Sequence, residues 1–179
     1  MSTAAAKMQR ILILGSGGSG KTTFSRKLAA KTGLPLYHLD NLYWQPGWAA
    51  LPKAEWQALV RTLTARDEWI MDGNYSSTVD LRVPRADAIF LLLLPPWRCL
   101  LNVLKRRVKY AFAGTSARPE MPEGCPEKVD WAFLSWIWQY PRVHLPIVWE
   151  AVHTLKNDRV EVCVFKSYRE IQEFLNQPF

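Results

Sequence analysis

The run Gly15-Ser16-Gly17-Gly18-Ser19-Gly20-Lys21-Thr22 carries the strongest chemical signal in the chain. It fits the spacing GxxxxGK[ST] in full. Glycines leave backbone N–H groups bare and permit left-handed turns, so such a run can wrap an anion. A helix beginning at Lys21 would aim its positive end at the same anion. In that geometry Lys21 bridges the β- and γ-phosphates of a nucleoside triphosphate, and the Thr22 hydroxyl ligates Mg²⁺. Thr23 extends the same turn. The expected ligands of this stretch are ATP and Mg²⁺.

Two aspartates follow apolar runs. Asp72 closes "WIM" and matches the arrangement in which a strand-end carboxylate holds Mg²⁺. The competing reading is an aspartate that starts a turn with Gly73 and Asn74. The residue after Asp72 is glycine rather than glutamate, which argues for group transfer over sustained hydrolysis. A guanine-selecting NKxD motif is absent from the sequence. Asp40 follows "PLYHL" and is a candidate to orient an acceptor hydroxyl or take its proton. An Asx turn with Asn41 accounts for Asp40 equally well.

Cations cluster in "KRRVK", Lys105 to Lys109. Their helix is expected to bury Leu100, Leu101, Leu104 and Val108, so they point outward. They then form either a solvated face or a lid. In the lid reading, Arg106 and Arg107, with Arg118 in the next loop, cover the moving phosphoryl group and exclude water. Cys125 is the only cysteine of that loop, so no zinc site is expected there.

These groups need a frame. "RILILG" reads as a buried strand entering the glycine turn, and residues 21–31 as a helix ended by Gly33. "PLYHLD" reads as a second strand ending at Asp40, followed by an aromatic loop, "NLYWQPGWAALP". Trp56, Leu59, Val60 and Leu63 then follow helical spacing after Pro52. "EWIMD", "DAIFLLLLP" and "RVEVCVF" supply three more strands. Residues 97–110 and 127–155 read as helical, the latter broken near Pro141 and Pro146. "SYREIQEFLNQ" closes the chain as a helix. Apolar strands alternating with helices imply a parallel sheet covered on both faces. The expected fold is α/β, a three-layer P-loop NTPase fold with roughly five parallel strands. Ligands in such sheets sit beyond the strand C-terminal ends, where Asp40, Asp72 and the glycine turn should converge.

Composition sets the outer limits. The chain has 179 residues, is 49% hydrophobic and carries a net charge of +7. One domain over residues 10–179 with a loose tail at 1–9 suits that length. The charge favours anionic partners: nucleotides, nucleic acid or acidic membranes. Cys99, Cys125 and Cys163 are scattered and odd in number, which fits a reducing compartment. With no signal peptide evident and no run long enough to span a bilayer, a cytoplasmic protein is expected. Nine tryptophans are many for this length. Three of them, Trp131, Trp136 and Trp138, precede Pro141. Phe133, Trp136, Ile137 and Tyr140 share one helical face and are expected in the core. The competing reading is an exposed aromatic and basic surface that stacks bases.

Several separated stretches together resemble P-loop kinases of the adenylate kinase-like group, and more narrowly the DNA topology modulation proteins. They are "GSGGSGKTTFSRKLA", "YHLDNLYWQPGW", "WIMDGNYSSTVDLRVPRADAIFLLL", "LLNVLKRRVKYA", "RPEMPEGCPEKVDWAFLSWIWQYP" and "FKS". They cover most of residues 10–175. The resemblance implies a nucleotide-kinase layout, with an acceptor-binding segment at 41–66 and a lid-like segment at 106–127. "DGNY" stands where nucleotide kinases carry DGFPR. Asp72 and Gly73 match, but the arginine does not, and Arg82 and Arg85 are the next candidates to reach an acceptor. Residues 41–60 hold no arginine and one lysine, Lys53, where nucleoside monophosphate kinases supply an arginine clamp. Tyr37, Tyr43, Trp44 and Trp48 dominate the region instead, which argues against AMP and for an acceptor with a hydroxyl or a stackable ring. Lys166 and Ser167 stand where such folds build the adenine pocket. The implied activity is transfer of the ATP γ-phosphate to a small molecule, nucleoside or nucleotide. The alternative is a nucleotide-dependent DNA-binding protein that modulates topology. The chain shows a lid and an acceptor segment but no helix-turn-helix, RRM or zinc module, which favours transfer. The sequence gives no oligomeric state.

Overall fold

The computed structural model describes residues 8–112, 124–125 and 129–177. Its elements run β1 (Arg10–Gly15), α1 (Lys21–Thr32), β2 (Leu36–His38), α2 (Leu39–Tyr43), β3 (Trp44–Gln45), β4 (Ala49–Ala50) and α3 (Lys53–Thr64). There follow β5 (Trp69–Asp72), α4 (Val79–Arg82), β6 (Ala88–Leu92), α5 (Pro96–Phe112), α6 (Trp131–Leu155), β7 (Glu161–Phe165) and α7 (Tyr168–Leu175). Five strands form one sheet in the order β2-β5-β1-β6-β7, and every pairing in it is parallel. The expected sheet is therefore present.

The strands read as apolar throughout because both faces are covered. Leu12, Leu14, Met71, Ile89 and Leu91 face one side and pack with Leu63 of α3 and Val148 and Val152 of α6. Ile11, Ile13, Ile70, Phe90 and Leu92 face the other and pack with Phe24 and Leu28 of α1 and Ile171 and Leu175 of α7. Alternate residues thus enter opposite cores, the period of two that a pleated strand imposes. Each fully buried Leu, Ile or Phe contributes about 1.5–3 kcal/mol.

Four expectations are corrected. First, β2 ends at His38, and Asp40 lies in the first turn of α2. Second, the aromatic segment is not a plain loop: β3 and β4 pair as a small antiparallel hairpin around Pro46–Trp48. Third, α6 runs unbroken through Pro141 and Pro146. Each proline removes one backbone donor, but the long helix is held by its packing on the sheet and on α5. Fourth, of the expected α5 face only Leu100 packs inward, and the rest is turned outward. Leu101, Leu104 and Val108 are 45%, 46% and 53% exposed, while Cys99 and Val103 pack with Ile137 of α6. The inward stripe is the smaller one because α5 lies close against the glycine turn.

Candidate functional site

The C-terminal ends of the strands open into a cleft of about 950 Å³. Its floor is the glycine turn. Gly18 has φ +75°, and a Cβ there would stand 2.3 Å from the Cys99 carbonyl oxygen. Gly20, at φ +93°, is the N-cap of α1, and no side chain caps that helix end. The first turn of α1 also lacks an acidic residue. Its N–H groups and positive dipole end are therefore left to an anion. The Lys21 ammonium donates to the carbonyls of Gly15 (2.8 Å) and Ser16 (2.9 Å), at the head of the turn. Ser16 and Ser19 are buried, and their hydroxyls have no hydrogen-bond partner among the described residues. Asn102 of α5 supports the turn from above, donating to Gly18 O at 2.7 Å.

Asp72 sits where β5 ends. Its Oδ2 accepts the Thr22 hydroxyl at 3.2 Å, which brings the two side chains together beside the glycine turn. The same oxygen lies 3.1 Å from His38 Nδ1. The sheet register explains this contact, because His38 and Asp72 are neighbours across β2 and β5. The signal for His38 was its place at the C-terminal end of the edge strand β2, visible in "YHLD". A phosphate cradle with bare helix N–H groups, a lysine and a Thr–Asp pair fits Mg·nucleoside triphosphate.

The loop after Asp72 ties the two halves of the cleft together. Asn74 grips Gly15, accepting its N–H at 3.0 Å and donating to its carbonyl at 2.7 Å. Tyr140 of α6 donates to the same Asn74 oxygen at 3.3 Å. Tyr75 donates its hydroxyl to Asp40 Oδ1 at 2.6 Å. Burial first, and the Asp40 charge second, push the Tyr75 phenol well above its ordinary range, so it stays a donor. Tyr75 adopts φ +34°, unusual for a non-glycine residue. It is held there by rings, lying 4.7 Å from Tyr43 and 5.0 Å from Trp56 between centroids.

Arg82 corrects its expected role. It is fully buried and does not line the cleft. Its guanidinium donates to the carbonyls of Gly73 (2.8 Å), Asn74, Tyr75 (2.9 Å) and Thr78 (3.3 Å). It is a strut beneath the 73–75 loop. Burial pushes its pKa down to about 10, so it remains charged at neutral pH. Arg85 is exposed just before β6, at the far end of the sheet from the cleft.

The other expected residues divide. Gly17, Gly18, Gly20, Lys21, Thr22, Thr23, Asp40, Trp44, Asp72 and Arg106 line the cleft. Tyr43 does not; its ring packs on Trp44, Trp56 and Tyr75 behind the wall. Arg107 is exposed outside the cleft, about 100° round the helix from Arg106. Arg118 and most of the 106–127 lid segment lie outside the described residues. The side chains of Lys166 and Ser167 also miss the cleft. The Ser167 hydroxyl caps α7, accepting from Glu170 N–H at 3.3 Å and donating to the Glu170 carboxylate at 2.9 Å. Tyr168, Ile171, Gln172 and Leu175 of α7 line that end instead.

The tryptophan stripe is half right. Ile137 and Tyr140 are buried as expected. Phe133 and Trp136 face the cleft, with near-parallel rings 6.3 Å apart. Trp131 and Trp138 are 82% and 58% exposed. Asp130, also in the cleft, caps α6 by accepting from Phe133 N–H at 2.9 Å.

No protein-family model matches the sequence, and no curated protein does. Solved structures do match. Shikimate kinase from Acinetobacter baumannii in complex with shikimate is 15% identical, with a TM-score of 0.62 over 94% of this chain and 91% of that one. Shikimate kinase from Bacteroides thetaiotaomicron is 18% identical, with a TM-score of 0.54 over 94% of each chain. A sugar kinase from Janibacter sp. HTCC2649 is 16% identical, with a TM-score of 0.50 over 93% and 91%. The chain has the P-loop kinase fold. At these identities the likeness speaks for the fold. Among the described residues no helix is long and apolar enough to cross a membrane.

Proposed function

We propose that the protein is an ATP-dependent phosphotransferase of the adenylate kinase-like group that acts on a hydroxyl-bearing small molecule. One observation carries this reading: the phosphate cradle and Asp40 face a single cleft and are joined through one three-residue loop. The cradle N–H groups, Lys21 and Arg106 hold the donor phosphates. Thr22 and Asp72 would hold Mg²⁺, which when bound would supply neutralising charge to the phosphate oxygens. Tyr75 occupies Asp40 Oδ1, which leaves the other carboxylate oxygen to accept the acceptor's O–H. The γ-phosphorus–oxygen bond to the β-phosphate breaks as the bond to the acceptor oxygen forms. The acceptor proton passes to Asp40, and ADP leaves. Positioning of this kind does most of the work in phosphoryl transfer.

Radiolabelled γ-phosphate from ATP, Mg²⁺ and a mixed alcohol library test the reading. Label should appear in a small molecule with the intact protein and fall at least ~100-fold with Lys21→Ala, the scale of losing one transition-state donor. Label in inorganic phosphate alone would refute it.

A second reading, a nucleotide-dependent DNA-binding protein that modulates topology, is favoured by one feature. Trp131, Trp138 and Trp149 of α6 are exposed on a chain of net charge +7. Base stacking on such rings would give binding that weakens steeply with salt. A mobility shift across a salt series, with Trp131→Ala and Trp138→Ala as controls, checks it.

A further inference from the structure

We propose that the Phe133 ring roofs the glycine turn and keeps water from the phosphoryl group held there. The proposal rests on the phosphotransfer reading and concerns the same site. Gly17 carries it. The motif leaves that position open to any residue, and Gly17 does not share the left-handed backbone of Gly18 and Gly20. Conformation therefore does not call for glycine at 17, but space does. A Cβ on Gly17 would stand 2.8 Å from Cζ and 3.1 Å from Cε2 of Phe133, and 3.4 Å from Cδ1 of Ile137. The ring thus meets the turn edge-on, and it lines the cleft together with Gly17, Gly18, Lys21 and Arg106.

The ring is held in that position by the seating of α6. Phe133, Ile137 and Tyr140 follow helical spacing along one face. Ile137 is fully buried, and Tyr140 donates to Asn74, which grips Gly15. The Asp130 cap accepts the Phe133 N–H and fixes the turn of helix that carries the ring. Trp136 lies near-parallel to Phe133, with the ring centres 6.3 Å apart. An aromatic edge suits the place chemically. Water beside the bound phosphates competes with the alcohol for the γ-phosphorus. Its oxygen would bond to that phosphorus as the bond to the bridging oxygen breaks, releasing ADP, inorganic phosphate and a proton. The edge of a carbon ring offers such a water no strong donor or acceptor, and it fills space in which one would stand. That edge also carries the ring's partial positive charge, so it can approach an anion without repelling it.

The test follows γ-labelled ATP with Mg²⁺ on the full chain, first in buffer alone and then with the mixed alcohol library. Without alcohol, Phe133→Ala should release inorganic phosphate at least ~10-fold faster than wild type. Its ATP dissociation constant, read by calorimetry, should change by less than ~3-fold. With alcohols present, the share of label lost to inorganic phosphate should rise. Phe133→Met keeps an apolar side chain of similar reach and should release phosphate within ~3-fold of wild type. Phe133→Val leaves a smaller cavity and carries the same expectation as the alanine variant should that one not fold. Unchanged or slower release from a folded, ATP-binding variant overturns the proposal. A methionine variant that releases phosphate as fast as the alanine one also overturns it, as does a folded alanine variant that no longer binds ATP. Label transfer to an alcohol with unchanged release sinks the roof and keeps the phosphotransfer reading. Faster release with no label in any alcohol, wild type included, keeps the roof and sinks that reading.

Discussion

At the scale of single residues, the site depends on side chains that hold other groups in place. Tyr75 holds one oxygen of Asp40, so Tyr75→Phe frees that carboxylate to rotate. A hydrogen bond to a charged group contributes about 1.5–3 kcal/mol, so kcat should fall at least ~10-fold with little change in KM for ATP. Steady-state kinetics with the acceptor identified by label transfer would show the split. Arg82 supports the same loop from below. Arg82→Met takes the guanidinium away from the carbonyls of Gly73 and Asn74, while Thr78 still donates to the Tyr75 carbonyl, and should cost about 2–4 kcal/mol, read as a lower urea midpoint. The sequence revealed that an arginine was available near the "DGNY" stretch, but not its direction. Reach and burial are tertiary facts: Arg82 closes α4 beneath the loop, whereas an arginine inside the loop would have faced the cleft.

Among the elements, legibility followed covering. Strands buried on both faces read as apolar runs, so β1, β5 and β6 were visible with near-correct ends, as was the Gly33 stop of α1. The two-residue strands β3 and β4 carry no period long enough to detect, which is why the hairpin bearing Trp44 and Trp48 read as a loop. In α5 the apolar stripe is real, but Leu101 and Leu104 face outward, because periodicity gives a face and not the side on which the neighbour lies. The prolines of α6 misled by local rule alone. Pro146 is exposed within a continuous helix. Pro146→Ala restores a donor for the Arg142 carbonyl and should therefore stabilise the protein. Proline costs about 3 kcal/mol in a helix interior, less about 1 kcal/mol for its stiffening of the unfolded chain, so a gain of about 1–2 kcal/mol is expected in chemical denaturation.

The whole molecule divides into two ends. The cleft lies beyond the strand C-termini, and the opposite rim is pinned by Arg10 and Asp87. Their guanidinium and carboxylate meet at 2.8 Å, and Asp87 Oδ2 also accepts the backbone N–H of Arg10 at 3.0 Å. Burial opposes ionisation of Asp87, but the hydrogen bonds from Arg10 outweigh it and hold the carboxyl below its ordinary value of 3.8. A depressed carboxylate pKa adds stability that is present above the unfolded value and lost as pH falls through the folded one. Asp87→Asn should therefore lower the melting temperature at pH 7 and differ progressively less from wild type below pH 4. The pair is about a third exposed, so screening limits the neutral-pH effect to about 1 kcal/mol. Calorimetry over a pH series reads both. The convergence of Asp72 and the glycine turn at one end was legible from strand ends alone. The contribution of α6 to the cleft was not, since only packing brings Asp130 and Trp136 back across the sheet. In the proposed transfer, the loop of Gly73, Asn74 and Tyr75 would act as a ruler between donor and acceptor, since Asn74 grips Gly15 and Tyr75 holds Asp40. Reaction distance would then be inherited as one short cassette, with the hairpin and α6 left to vary as walls of the cleft. Retargeting this scaffold is a matter of repainting those two walls and leaving the ruler alone.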